Sequence, residues 1–216
     1  DQLICPEQSV TAYVRKLIEY PEALQVLEFA DGLVSLVAVR AVQDGPLVSH
    51  SLAEIPQLVP YAPLRIVAIY RQDQALTDLD GATRIEPGDE VFVLAATDHI
   101  RAVLSGLRRM DRPVKRVMIA GGGKVALRLA RETHANYQLK MIEHNPARCH
   151  YLATQLPAGT LVLQGDATDE ELLGDENVQD MDLFAALTND DEDNIMACLL
   201  AKRLGCPRVI ALINRA

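Results

Sequence analysis

Three consecutive glycines, residues 121–123, separate a short apolar run from a segment whose apolar residues have helical spacing. This pattern predicts a strand, a tight turn and a helix. Gly121, Gly123 and Ala126 fit the spacing G-x-G-x-x-G/A. In that fingerprint the first glycine makes the turn, the second lets the main chain approach a pyrophosphate, and the third position keeps the helix close to the sheet. Such a loop would place phosphates at the helix N-terminus, where free N–H groups favour an anion.

A carboxylate follows the next predicted strand. Glu143 comes directly after the apolar run 139–142, about 20 residues past the loop, where the fingerprint needs an acid for the adenosine ribose. It can also be a solvated acid at a strand end, but its place after both loop and strand favours ribose binding. A carboxylate there repels a 2′-phosphate, which indicates NAD over NADP. His144 and Arg148 are close enough in sequence to weaken that argument.

Two further pairs follow predicted strands. Asp166-Ala167 could hold the adenine edge or ribose, and Thr188-Asn189 could reach the phosphates or the far ribose. Each pair, taken singly, is better explained as a turn or a helix cap. Ligands of open parallel sheets bind at the carboxyl ends of the strands, so the shared placement of the two pairs favours one joint site.

The second half of the chain alternates strands and helices, which is typical of a parallel sheet. The predicted strands are 114–120, 139–143, 160–164, 183–187 and 209–213, and the predicted helices are 124–133, 146–155, a short one near 170–173, and 191–204. In the last helix, helical spacing predicts a buried stripe of Met196, Leu199, Leu200 and Leu204.

The first half predicts a small α+β unit. An amphipathic helix with Val10, Val14, Leu17 and Ile18 ends before Pro21. After it we predict four strands, at 24–30, 33–42, 64–70 and 90–96, with a hairpin turn at Asp31-Gly32. We also predict a short helix at 52–58, a helix at 100–107 and a linker at 110–113.

Composition and charge exclude several classes of protein. The 216 residues are 49% apolar and 24% charged, as in a folded protein with room for two modest domains. The net charge of −9 argues against nucleic acid as a partner. No run is long enough to span a bilayer, so we expect a cytoplasmic protein. The four cysteines form no C-x-x-C, so we expect no metal site, and we find no nucleophile and base that would make a catalytic set.

Several of these segments together resemble the RCK (KTN) nucleotide-binding domains, which regulate potassium channels and transporters. The resemblance rests on residues 120–125, Glu143 with Asn145-Pro146, 165–168, and above all 188–194 and 201–205. The upstream unit, with a Gly88-Asp89 turn before a strand and a helix, is similar to the smaller C-terminal lobe of such domains. Ala126, where many relatives have glycine, and Glu143-His144, where an aspartate is common, depart from the family pattern.

The resemblance implies a site, a ligand and a domain order. The pyrophosphate would lie on Gly121, Gly122, Gly123, Lys124 and Val125, the ribose on Glu143, and Asp166, Ala167, Thr188 and Asn189 would complete a pocket for NAD(H), or else ATP or ADP. Residues 1–21 would end a preceding nucleotide lobe with a strand tail and a crossover helix. Residues 22–112 would be the small lobe, and 113–216 a Rossmann-like lobe truncated after its fifth strand.

The same resemblance implies a regulatory protein without catalytic residues. It would lie peripherally on the inner face of the cell membrane, contact a membrane potassium-translocating subunit, and form dimers that assemble to tetramers.

A glycine loop of this kind is also compatible with two other functions. An NAD-dependent oxidoreductase would need an acid or base beside the nicotinamide, but the sequence has no Tyr-x-x-x-Lys and no histidine near the ends of the fourth and fifth strands. A class I methyltransferase would use the loop and acid for S-adenosylmethionine. Residues 188–191 lack the proline and aromatic platform that such enzymes carry after the fourth strand.

Overall fold

The computed structural model describes residues 6–108 and 113–214 and divides the chain into two compact units. One unit spans residues 19–112, and the other joins residues 1–18 to residues 113–216. The predicted strand tail at the start of the chain and most of the predicted linker 110–113 lie outside the described residues. No helix in the described ranges is long and apolar enough to cross a membrane.

The first element is the predicted amphipathic helix, α1 (Pro6–Glu19). Its Val14 and Ile18 are buried in one cluster with Val117 and Leu129 of the same unit. The helix ends just before Pro21, because a residue that precedes proline disfavours the helical conformation. That α1 ends a preceding nucleotide lobe stays a prediction.

The unit of residues 19–112 is built on a five-stranded antiparallel sheet. Its elements are β1 (Ala23–Phe29), β2 (Val34–Arg40), α2 (Ile55–Leu58), β3 (Leu64–Arg71), β4 (Gln74–Ala75), β5 (Glu90–Ala96) and α3 (Ile100–Leu107), with strand order β1-β2-β5-β3-β4. The predicted hairpin joins β1 to β2, and α3 packs its Ile100, Val103 and Leu104 into the core of this unit.

Strand β4 was not predicted. The turn before it is made by Gln72 and Asp73, whose φ angles are +51° and +62°. Because neither residue is glycine, the usual sequence signal of a tight hairpin is missing here. The predicted four strands are therefore five.

The other unit contains the predicted parallel sheet with helices on both faces. Its elements are β6 (Arg116–Ala120), α4 (Lys124–Thr133), β7 (Gln138–Glu143), α5 (Pro146–Gln155), β8 (Leu161–Gln164), α6 (Glu170–Asp175), β9 (Leu183–Ala186), α7 (Asp191–Arg203) and β10 (Val209–Ala211). All paired strands are parallel, in the order β10-β9-β6-β7-β8. The predicted fold class, a Rossmann-like lobe preceded by a small α+β lobe, is confirmed.

Half of the stripe predicted for α7 is wrong: Leu200 and Leu204 are partly buried against the core, but Met196 and Leu199 are not. Met196 and Leu199 are both 59% exposed, whereas Asn194, Ala197, Cys198 and Ala201 are buried against the sheet. Small side chains allow the helix to approach β9 and β10 closely, and this close packing outweighs the greater hydrophobicity of methionine and leucine.

Candidate functional site

The strand order reverses at β6, and this reversal fixes where a ligand can bind. The chain leaves β6 toward β7 on one side, and β9 pairs with β6 on the other. Loops after β6, β7 and β9 therefore surround one crevice at the carboxyl ends of these strands. In open α/β sheets, ligands bind in this crevice.

Gly121 makes the turn that carries the chain out of β6. Its φ is +95°, in the left-handed region that favours glycine. Its N–H donates to the carbonyl oxygen of Ile142 at 2.8 Å. A Cβ on Gly121 would lie 2.9 Å from Cγ2 of Thr188. The loop is thus held between the ends of β7 and β9.

The next two glycines have different surroundings. A Cβ on the buried Gly122 would lie 2.4 Å from Cδ1 of Leu152, so packing excludes a side chain there. Apart from its own chain neighbours and α4, the nearest described atom to a Cβ on Gly123 would be the carbonyl oxygen of Leu187, at 3.9 Å. Gly123 therefore faces open space, as the close approach of a pyrophosphate requires.

Glu143 is almost buried, at 7% exposure, and its carboxylate holds the glycine loop. Oε2 accepts the N–H of Gly122 at 2.7 Å, and Oε1 accepts the N–H of Asn145 at 2.8 Å. Nδ1 of His144 lies 3.2 Å from Oε1. Each carboxylate oxygen has a second lone pair, and that of Oε2 could still accept a ribose hydroxyl. The ribose role stays a prediction, and positioning Gly122 is an additional role.

Helix α4 is capped differently from the other helices of the parallel sheet. Asn145, Asp169 and Asp190 accept hydrogen bonds from the first turns of α5, α6 and α7. Before α4 stands Gly123, and no side chain among the described residues caps this helix. The N–H groups of its first turn are therefore left for an anion in the crevice.

Asp166 lies at the end of β8. Its Oδ1 accepts the N–H and the hydroxyl of Thr168 at 2.8 and 2.7 Å. These hydrogen bonds hold the pKa of Asp166 below its usual value, so the group is a carboxylate at neutral pH. On α5, burial first and then the charge of Glu143 raise the pKa of Cys149, which keeps this nearby thiol protonated.

The end of β9 is fixed by a buried amide. Asn194 is 0% exposed, and its Oδ1 accepts the N–H of Thr188 at 3.0 Å and the hydroxyl of Thr188 at 2.8 Å. Its Nδ2 donates to the carbonyl oxygens of Thr188 and Leu212 at 3.0 and 2.8 Å. Asn194 thus uses all four of its hydrogen-bonding positions and joins the crevice to the end of β10.

Two adjoining cavities follow this edge of the sheet and share Gly121, His144, Thr188 and Asp193. The larger, of about 420 Å³, lies beside the glycine loop, Glu143 and residues 187–190. The smaller, of about 230 Å³, is bordered by residues 165–168 and the start of α7. No group of histidine, cysteine and acidic residues that could hold a metal occurs within 6–108 and 113–214.

Most of the predicted site residues border these cavities. The exceptions are Lys124, which is 83% exposed with Nζ 3.4 Å from a carboxylate oxygen of Glu7, and Val125, which packs toward the core. The remaining eight are Gly121, Gly122, Gly123, Glu143, Asp166, Ala167, Thr188 and Asn189. The structure thus brings these eight together, while their binding roles stay predictions.

Several other residues line the cavities without having been assigned to the site, among them His144, Arg148, Asp193 and Asn194. The sequence offered one signal for Arg148, its place in the first turn of the helix after the candidate ribose acid. For Asn194 there was only its place in the segment 188–194, on which the family resemblance rests.

Two family models match the chain. The TrkA-N domain matches residues 117–216, and the TrkA-C domain matches residues 36–107. Among similar proteins, the Trk system potassium uptake protein TrkA of Halomonas elongata is 50% identical over 216 residues, which cover 100% of this chain and 47% of that protein. The protein of the same name from Vibrio alginolyticus is 47% identical over 215 residues, 100% of this chain and 46% of that protein. The chain spans about half the length of these relatives.

Solved structures of low sequence identity share the fold. The GsuK channel aligns with a TM-score of 0.53 at 15% identity, over 95% of this chain and 40% of that one. The GsuK RCK domain aligns with a TM-score of 0.50 at 16% identity, over 91% and 47%. Both the family models and the relatives span the small unit and the parallel sheet. The chain therefore belongs to the TrkA family, and it joins a TrkA-C domain to the TrkA-N domain that carries the two cavities.

Proposed function

We propose that the crevice of the TrkA-N domain binds NAD(H), or else ATP or ADP, and that this binding regulates potassium uptake. The observation that carries the proposal is the uncapped first turn of α4 beside Gly123, with the loop fixed by Glu143 and cavity space on both sides. A pyrophosphate would accept from the free N–H groups, and the ribose would donate to Glu143.

The ligand acts as a regulator in this proposal, and the chain catalyses no reaction on it. A nucleotide that contacts the loop, Glu143 and the end of β9 favours the conformation in which these groups converge. Differential affinity for two conformations is sufficient to pass a signal to a partner. The partner would be a membrane potassium-translocating subunit of the TrkH or TrkG type, with the protein on the inner face of the membrane as a homo-oligomer. The name that the relatives carry, potassium uptake protein, supports this assignment.

The binding experiment is a calorimetric titration of the chain with NAD, NADH, ATP, ADP and S-adenosylmethionine, repeated on Glu143→Gln. Glutamine keeps an acceptor for Gly122 but loses the charge and the second acceptor, which Asn145 uses. We expect affinity for NAD(H) or adenine nucleotide to fall by about 1 to 3 kcal/mol, the scale of a hydrogen bond to a charged group. Glu143→Ala is less informative, because it also leaves the buried N–H of Gly122 unpaired.

Glu132→Gln is the matched control, because this glutamate lies on the exposed side of α4 in ion pairs with Arg15 and Arg128. Equal affinities for both variants would contradict the ribose role. Preferred binding of S-adenosylmethionine would favour the methyltransferase over the regulator. Hydride transfer from bound NADH to an added acceptor would favour the oxidoreductase. Potassium flux through the membrane subunit with the full-length protein, measured with and without NAD, tests the regulatory step.

A further inference from the structure

Arg148 is held at the edge of the glycine loop by two contacts. Its Nε donates to the carbonyl oxygen of Gly122 at 2.7 Å. Its guanidinium carbon lies 4.7 Å from the centre of the Tyr151 ring, a cation–π distance. The two terminal nitrogens have no hydrogen-bond partner among the described residues. The side chain is therefore oriented, with donors still available beside the loop.

The position of this arginine is unfavourable for the helix that carries it. Arg148 is in the first turn of α5, where Asn145 caps its N–H at 3.0 Å. A cation at a helix N-terminus opposes the helix dipole, so helix stability does not account for the residue. The cation–π contact with Tyr151 lies within the same helix, so it orients the arginine without accounting for its place beside the loop.

The charge of the larger cavity gives a reason for the arginine. Glu143, Asp190 and Asp193 line this cavity with the glycine loop, and Asp166 lies in the smaller one. Among the residues that line the two cavities, Arg148 is the one lysine or arginine. A nucleoside diphosphate adds negative charge to a groove that already holds carboxylates. A fixed guanidinium offsets that repulsion and presents two donors to phosphate oxygens.

We infer that Arg148 determines the specificity of the crevice by binding a phosphate oxygen, so that the site selects nucleosides carrying a 5′-diphosphate over uncharged or cationic nucleosides. NAD, ADP and ATP belong to the selected class. Adenosine lacks the phosphates, and S-adenosylmethionine presents a positive sulfonium to the guanidinium. This inference rests on the proposed function, since it concerns the same crevice.

The test is a titration of Arg148→Gln with NAD, ADP and adenosine at low and at high ionic strength. The expected result is a loss of affinity of about tenfold or more for NAD and ADP, the equivalent of a charge-assisted hydrogen bond, with adenosine unchanged. The affinity for ADP should also depend less on salt, because one screened charge pair is lost. Arg148→Lys keeps the charge and should restore the salt dependence and part of the affinity.

Arg128→Gln is the control, because Arg128 on α4 pairs with Glu132 and lines neither cavity. If Arg148→Gln binds NAD as the control does, the inference is wrong. If it weakens adenosine and ADP equally with an unchanged salt dependence, Arg148 only positions Gly122, and the inference also fails. If the unmodified chain binds none of the three ligands, the proposed function itself fails.

Discussion

Gly121 is required by its conformation and by its neighbour across the crevice. Alanine at this position would keep φ near +95° and place a Cβ 2.9 Å from Cγ2 and 3.2 Å from the main-chain nitrogen of Thr188. We expect Gly121→Ala to lower the free energy of unfolding by more than the roughly 1 to 2 kcal/mol of the left-handed conformation alone, and to weaken NAD binding. Urea denaturation and titration with NAD measure the two effects.

Gly159 provides the comparison for this substitution. Its φ is +100°, and a Cβ there would meet nothing within 4 Å. Gly159→Ala should therefore show the conformational cost alone and retain NAD binding. Equal losses of stability in the two variants would mean that Thr188 moves aside easily and that Gly121 is fixed only by its φ.

Individual site residues could be predicted where they follow a strand, since the carboxyl ends of parallel strands meet at one edge. That rule correctly placed Glu143, Asp166 and Thr188 beside the cavities. It could not place residues on helices, because successive helical residues point about 100° apart and the rotation of the helix decides which one faces the crevice. The side chain of Lys124 therefore points away from the crevice although it follows the glycines directly. The side chain of Asn194 points toward the crevice, and the sequence did not predict this.

The sequence does not show which apolar residues of α7 face the sheet. In α7 the larger residues Met196 and Leu199 are exposed, and the sheet is contacted by Ala197, Cys198 and Ala201. From hydrophobicity alone, Met196 and Leu199 are expected to be the more buried residues. The distance between helix and sheet, however, depends on the size of the side chains between them. By contrast, α4 and α5 begin and end at the predicted residues, because a glycine loop and an Asn-Pro cap mark their starts.

The packing of α7 predicts how its leucines respond to truncation. Leu199→Ala should change the free energy of unfolding of this chain by no more than about 0.5 kcal/mol, as expected for an exposed side chain. Leu129→Ala, the same substitution at a 0% exposed position on α4, should cost about 2 to 5 kcal/mol. Chemical denaturation of both variants checks the pair, and a cost near 2 kcal/mol at Leu199 would mean that the predicted stripe is buried after all.

At the scale of the whole molecule, the sequence predicted two kinds of architecture in one chain. Alternation of strand and helix indicated the parallel sheet, and the Asp31-Gly32 hairpin between two predicted strands indicated the antiparallel one. The structure has both. What the sequence could not indicate is that α1, at the start of the chain, packs with Val117 and Leu129. Contacts between segments so distant in sequence leave no local pattern.

Several titratable groups in both units have shifted pKa values, which make the free energy of unfolding depend on pH. Burial by itself would raise the pKa of Asp182, but the N–H groups of Arg116 and Lys115 and the charges of Arg116 and Arg208 outweigh it and lower that pKa. Hydrogen bonds from Ser51 lower the pKa of Glu54, and those from Thr83 lower the pKa of Asp80. Burial raises the pKa of the Cys206 thiol and raises that of Cys198 to about 11.

These directions predict a stability maximum between about pH 5 and pH 8. A carboxylate with a lowered folded pKa stabilises above its unfolded value, about 4, and that stability is lost as pH falls through the folded pKa. A thiol with a raised folded pKa stabilises below its unfolded value, about 8.5, and that stability is lost as pH rises toward the folded pKa.

Urea midpoints measured from acid to alkaline pH under reducing conditions should therefore fall on both sides of this maximum. Asp182→Asn should make only the acid side less steep, and Cys198→Ala only the alkaline side, because each removes one of several titrating groups. An acid slope that Asp182→Asn leaves unchanged would show that its contacts with Lys115 and Arg116 do not persist in solution.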